Sequence, residues 1–155
     1  MPYVAAVTLE WGESSMSSED NKALLRRFTT DFINTASPEA AAELIAPHAI
    51  FHAPGVHEPL RGPNGYMALL AMLRGGFPDI QWALEDIVAE DDKVAARFTM
   101  WGTHRGPFFG IPPTGKAIVA QSMAFYRIAE NQIVEETGLP DVLAILQQIG
   151  AIPTP

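Results

Sequence analysis

No cysteine occurs in the 155 residues, so the chain has no disulfide framework and no thiolate to act as nucleophile or metal ligand. That suits a reducing compartment, and a cytoplasmic location is expected. Positive charge is also scarce: 10 Lys and Arg stand against 18 Asp and Glu, a formal net charge of -8. Such a balance repels phosphate backbones and anionic lipid, so neither nucleic acid nor a membrane surface is expected as a partner. A small neutral molecule is. No apolar run approaches the roughly 18 residues of a membrane-spanning helix. Met1 to Leu9 is apolar but lacks the basic flank and small-residue cleavage site of a secretory signal. No glycine-rich loop leads into a helix with a lysine, which leaves nucleotide binding unsupported. There is no HExxH, and His52 and His57, five apart on a Pro/Gly loop, make at best a weak metal signal. No metal and no cofactor is expected. Ser122 lacks the flanking glycines of a nucleophile elbow.

What is present is apolar residues, 48% of the chain against 18% charged, which suits a filled core rather than disorder. Residues 1–17 read as a disordered leader, with Met16 an alternative start, and 18–155 as a single domain. Ser18 is the expected N-cap of a first helix, with Glu19 and Asp20 complementing the dipole. Leu24, Phe28 and Phe32 then recur every four residues along one face. Ser37-Pro38 caps a second, short helix through Leu44 and Ile45. Ala49 to His52 reads as a short strand running into the Pro54-Gly55 loop. Pro63 opens a third helix with Tyr66, Leu69, Leu70 and Leu73, stopped at Gly75-Gly76.

The period then changes. Ile80–Val88, Lys93–Thr103, Lys116–Ile128 and Gln132–Gly138 read as four strands, broken at Asp91-Asp92, Gly106–Gly115 and Glu130-Asn131. Connections of this kind imply antiparallel neighbours. Pro140 is expected to open a last helix carrying Leu143, Leu146 and Ile149, with Asp141 in its first turn. Helices first and strands later make the fold class α+β, a few helices over a curved antiparallel sheet around an apolar pocket.

Three segments in this order resemble the SnoaL-like polyketide cyclases of the nuclear-transport-factor-2-like superfamily. The first is His52-Ala53-Pro54-Gly55 leading to Gly62. The second, and most specific, is Gly102-Thr103-His104-Arg105-Gly106-Pro107-Phe108-Phe109-Gly110-Ile111-Pro112-Pro113-Thr114-Gly115-Lys116. The third is Gln132-Ile133-Val134-Glu135-Glu136, followed by Asp141 and Leu146-Gln147-Gln148-Ile149-Gly150. The resemblance spans about residues 19–153. It implies a cone-shaped curved sheet wrapped around three helices, a homodimer packed through the outer sheet faces, and cofactor-free ring closure of a polyketide-like substrate. In the aldol cyclases of that family the acid/base is an aspartate near the end of the last strand, supported by a histidine on the preceding one. Aligned through Arg127-Ile128 and Pro140-Asp141, those positions fall on Gly138 and Ala124. The resemblance therefore leaves open a ring closure of another kind, an isomerisation, an epoxide-opening hydrolase, or binding without catalysis.

Strand alternation supplies other candidates. Val134, Glu136 and Gly138 share one face, and Ala120, Ser122, Ala124 and Tyr126 share the matching face of the neighbouring strand. If Gly138, where the resemblance puts a catalytic position, faces the pocket, Glu136 does too, and Met123 and Phe125 point outward, apolar enough for an interface between two copies. A carboxylate in an apolar pocket has a raised pKa and serves as a general acid or base near neutrality. Glu136 paired with His104 is the expected dyad, with His52, Tyr66 and Tyr126 as further proton donors. The bland alternatives are that Glu136 is solvated beside Glu135 and that His104 only ties down the Gly106–Gly115 hairpin. Arg97 reaches either the pocket or Glu85 across its hairpin, the second being expected. Trp82, Trp101, Phe108 and Ser122, with Tyr66, Tyr126 and Arg97, are assigned to the substrate-binding wall.

Overall fold

The computed structural model describes residues 16–155. Of the expected leader only Met16 and Ser17 are included, and the rest of it lies outside the described residues. Ser17, not Ser18, caps the first helix, α1 (Ser18–Arg27). Its Oγ accepts the Asp20 N–H at 3.1 Å while the Asp20 carboxylate accepts the Ser17 N–H at 3.1 Å, a closed capping box. Ser18 has no such partner, because Asn21, three residues on, turns inward and donates to the Asp91 carbonyl.

After α1 the chain widens into a π-helical turn, Phe28–Ile33. The Thr29 hydroxyl, itself buried, bonds back to the Leu25 carbonyl at 3.0 Å, the kind of contact that loosens a helix locally. Phe28 and Phe32 are both fully buried with ring centroids 5.3 Å apart. At its end Asn34 pairs with the Trp82 backbone in both directions, at 2.8 and 2.9 Å, and so covers part of a sheet edge.

The remaining helices are α2 (Pro38–Leu44), α3 (Gly62–Gly76) and α4 (Val142–Gln148). The strands are β1 (Ile45–His52), β2 (Leu60–Arg61), β3 (Gln81–Glu90), β4 (Lys93–Thr103), β5 (Ala117–Ala129) and β6 (Gln132–Pro140). They form one curved sheet in the order β2-β1-β6-β5-β4-β3, with α3 packed on β1 and α1 on β3. The hairpins β3–β4–β5–β6 are antiparallel as their short connections require. β1 is parallel to β6, since it arrives directly from α2 rather than through a hairpin. Two features escaped the sequence pattern: β1 begins at Ile45, four residues before Ala49, and β2 is too short to show a period. Pro140 ends β6 instead of opening α4. Asp141 is the N-cap of α4, accepting the Ala144 N–H at 2.9 Å, rather than a residue of its first turn. Among the described residues no helix is long and apolar enough to cross a membrane.

Candidate active site

The long strands twist around the helices so that alternate residues face a cavity of about 120 Å³. On β4 these are Phe98 and Met100, on β5 Ser122, Ala124 and Tyr126, and on β6 Glu136, Gly138 and Pro140. Phe51 of β1, Tyr66 of α3, Trp82 of β3 and Phe108 complete much of an otherwise apolar wall.

Among the described residues Glu136 is the one carboxylate in that wall, and only 8% exposed. Burial raises its pKa to about 7, the Tyr66 and Tyr126 hydroxyls holding it from rising further by donating toward the charged form. Both tyrosines are pushed well above 10, by burial first and then by the Glu136 charge, so each remains a proton-bearing donor. Their rings are wedged. Tyr66 meets Phe28, Phe32 and Phe51 edge-on at 5.3, 5.3 and 4.6 Å, and Tyr126 meets Phe28 at 5.9 Å. Yet Oε2 of Glu136 is buried without a partner. A buried carboxyl with an unfilled oxygen, two fixed hydroxyls beside it and an open cavity in front can take up and return a proton.

His104 does not join this group. Val94, Tyr126 and Glu136 lie side by side across β4, β5 and β6, whereas His104 follows the end of β4, ten residues past Val94. At the usual rise that is roughly 33 Å of strand. Its ring is fully buried, tilted on Phe77 at 5.4 Å, and takes no part in the cavity wall. Nδ1 sits 3.0 Å from the Thr114 hydroxyl and accepts the Thr114 N–H at 3.3 Å, while the backbone exchanges bonds with Gly115 and Lys116. The expected Glu136–His104 dyad is therefore corrected to a Glu136–Tyr66–Tyr126 cluster. The loop that His104 closes supplies its own partners, and strand length keeps the two groups apart.

Three other expectations change. His52 borders the cavity at the end of β1, but its side chain is 46% exposed, with Nε2 3.8 Å from Glu135. It stands beside Thr137 on β6, one residue out of step with the inward pair Phe51 and Glu136. Arg97 faces outward, its guanidinium held by Asp86 at 2.5 and 2.9 Å and by Gln121 at 3.0 Å. The partner is Asp86 rather than Glu85 because a bulge between Leu84 and Asp86 shifts the register. Trp101, 42% exposed, lies on the same outer face, out of step with the inward Phe98 and Met100. Trp82, Phe108, Ser122, Tyr66 and Tyr126 are all in the wall. Wall residues that sequence reasoning missed include Phe51, Phe98 and Met100, although extending the alternation back from Tyr126 to its β4 neighbours would have found the last two. Among the described residues no three His, Cys, Asp or Glu side chains cluster as a metal site.

The sequence profile of the SnoaL-like polyketide cyclases matches residues 23–149. DnrD of Streptomyces peucetius, an aklanonic acid methyl ester cyclase, is 32% identical over 138 residues, covering 85% of this chain and 92% of that protein. The nogalonic acid methyl ester cyclase of Streptomyces nogalater is 27% identical over 119 residues, covering 76% and 88%. Among solved structures, IdmH of Streptomyces antibioticus superposes with a TM-score of 0.75 at 30% identity, over 84% of this chain and 98% of that one.

Proposed function

The chain belongs to the SnoaL-like polyketide cyclase family, and from that premise we propose that it closes a ring in a polyketide-like substrate with Glu136 as the proton carrier. One observation carries this reading: a carboxyl poised near neutrality lies in the cavity wall with an unpartnered oxygen, flanked by two tyrosine hydroxyls. In its ionised form Glu136 takes a proton from a hydroxyl, or from a carbon beside a carbonyl. The electron pair released forms the ring bond at an electrophilic carbon of the same molecule. That carbon's oxygen gathers negative charge, accepts a hydrogen bond from Tyr66 or Tyr126, and receives the proton back from Glu136. Product and substrate have the same atoms, and no electrons enter or leave.

The apolar wall favours a substrate that presents rings rather than charge, in keeping with the acidic surface. The epoxide-opening alternative, which the resemblance ties to an arginine and an aspartate two residues apart on such a strand, is weakened because Arg97 is held on the outer face by Asp86 and has Thr99 at that spacing. A second reading, a binder without catalysis, draws on Gly138 and Ala124, which stand where the aldol cyclases have their acid/base aspartate and its supporting histidine. The test is conversion of aklanonic acid methyl ester or nogalonic acid methyl ester by the wild type and by Glu136→Gln. Turnover that collapses in the variant supports the proposal. Full turnover without the carboxyl sinks it, and binding without product favours the binder. The outer face carries Val119, Met123, Phe125 and Leu139, all more than half exposed, and we read it as the contact between two copies in a homodimer. Sedimentation at monomer mass across micromolar concentrations would rule that out.

A further inference from the structure

Gly138 has no conformational reason to be glycine. It lies inside β6, paired with Ala124, and its φ is not among the positive ones. Glycine in a strand interior weakens the strand, so something other than the backbone must call for it. The nearest heavy atom to a Cβ built at 138 is Oε1 of Glu136, at 3.1 Å, and among the described residues nothing else but the adjoining chain lies within 4 Å. That is tighter than normal van der Waals contact. Glu136 and Gly138 point to the same side of the strand, and the glutamate side chain lies along it so that its carboxyl occupies the space position 138 leaves empty. The carboxyl also lies beside the Tyr66 and Tyr126 hydroxyls, whose rings are held by Phe28, Phe32 and Phe51.

We propose that Gly138 is a positioning residue, whose missing side chain is the seat of the Glu136 carboxyl and aims it into the cavity. This rests on the reading of Glu136 as the proton carrier. Any side chain at 138 competes with the carboxyl for one space. A methyl group moves the carboxyl a few tenths of an ångström, toward the tyrosine hydroxyls or toward the open mouth. Either displacement favours the ionised form, by better hydrogen bonds or by hydration.

The experiment is a carboxyl titration by NMR on ligand-free protein carrying 13C-labelled glutamate and aspartate, across a double-mutant cycle. In the wild type the Glu136 midpoint lies at about 7, and Gly138→Ala should lower it by about half a unit or more. In the Glu136→Asp background, where the carboxyl stands one methylene back, the same glycine substitution should move the midpoint far less. If Gly138→Ala does not fold but Glu136→Asp/Gly138→Ala does, the competition for space is likewise supported. An unchanged midpoint in folded Gly138→Ala, an equal shift in both backgrounds, or loss of folding in both would overturn it. Failure of the proposed function has a separate signature: Glu136→Gln would then turn over substrate normally, whatever the titration cycle reports.

Discussion

Glu136 and His104 lie at opposite ends of the curved sheet, and their surroundings look alike. Glu136 lies among Tyr66, Tyr126 and Phe51 at one end. His104 lies against Phe77, which in turn packs on Phe108, at the other. Both have a polar atom with no partner, Oε2 in one case and Nε2 in the other. What separates them is where the rest of the group is spent. The His104 Nδ1 is taken by Thr114 of its own hairpin, which leaves the ring a fixture of the loop. The Glu136 carboxyl meets only tyrosine hydroxyls from other elements and fronts a cavity. Burial in an aromatic nest thus marks a structural residue as readily as a functional one, and access decides between them.

The sharpest break of that comparison is Glu136→Gln against His104→Ala. Removing the Glu136 carboxyl should cut kcat for ring closure by about 10²–10⁴-fold with the fold intact, measured with a methyl ester substrate. Stability should respond with the opposite sign. Because the folded pKa of about 7 lies above the ordinary 4.5, the folded state holds the proton more tightly than the unfolded chain. The benefit of that is fully present below about 4.5 and is lost as pH rises through about 7, for a total on the order of 3 kcal/mol. Urea melts from pH 4 to 8 should show the decline in the wild type and a flat line in Glu136→Gln.

His104→Ala should behave the other way round, losing about 2 kcal/mol of stability by urea melting while kcat of the folded enzyme stays within a few-fold. Tyr126→Phe is milder. It removes a donor that holds the Glu136 pKa down, so the pH at which activity rises should move upward and kcat should fall by about tenfold. The smallest effect is expected at Arg97→Ala, where the ion pair with Asp86 is solvent-exposed: within about 0.5 kcal/mol of stability and without effect on kcat.

How legible these regions were depended on whether the relevant order was local. The β4 span Lys93–Thr103 follows from period-two alternation and two turn signals, and the same alternation puts Glu136 on the face of Gly138, which the resemblance turns inward, and Met123 and Phe125 on the opposite one. The capping serine slipped by one residue because Ser17 and Ser18 offer the same chemistry, and only the inward turn of Asn21 separates them. Arg97 was assigned the neighbouring acid because a bulge leaves no trace in composition. The Glu136–His104 pairing failed for a different reason. Both residues suit acid–base chemistry, but residue type says nothing of the strand length between them.

Composition and periodicity by themselves determined an α+β chain with an apolar interior and an acidic exterior, and put Glu136 of its last strand on the same face as Gly138. Those properties are read one strand or one helix at a time, since the side-chain direction in a strand repeats every two residues. Only the tertiary structure decided what that glutamate would meet. Tyr66 comes from α3, Tyr126 from β5, and the space beside the carboxyl from the missing side chain of Gly138. The pKa of an acid is set by the solvent it loses and the donors it gains, and both are assembled from elements far apart in the chain.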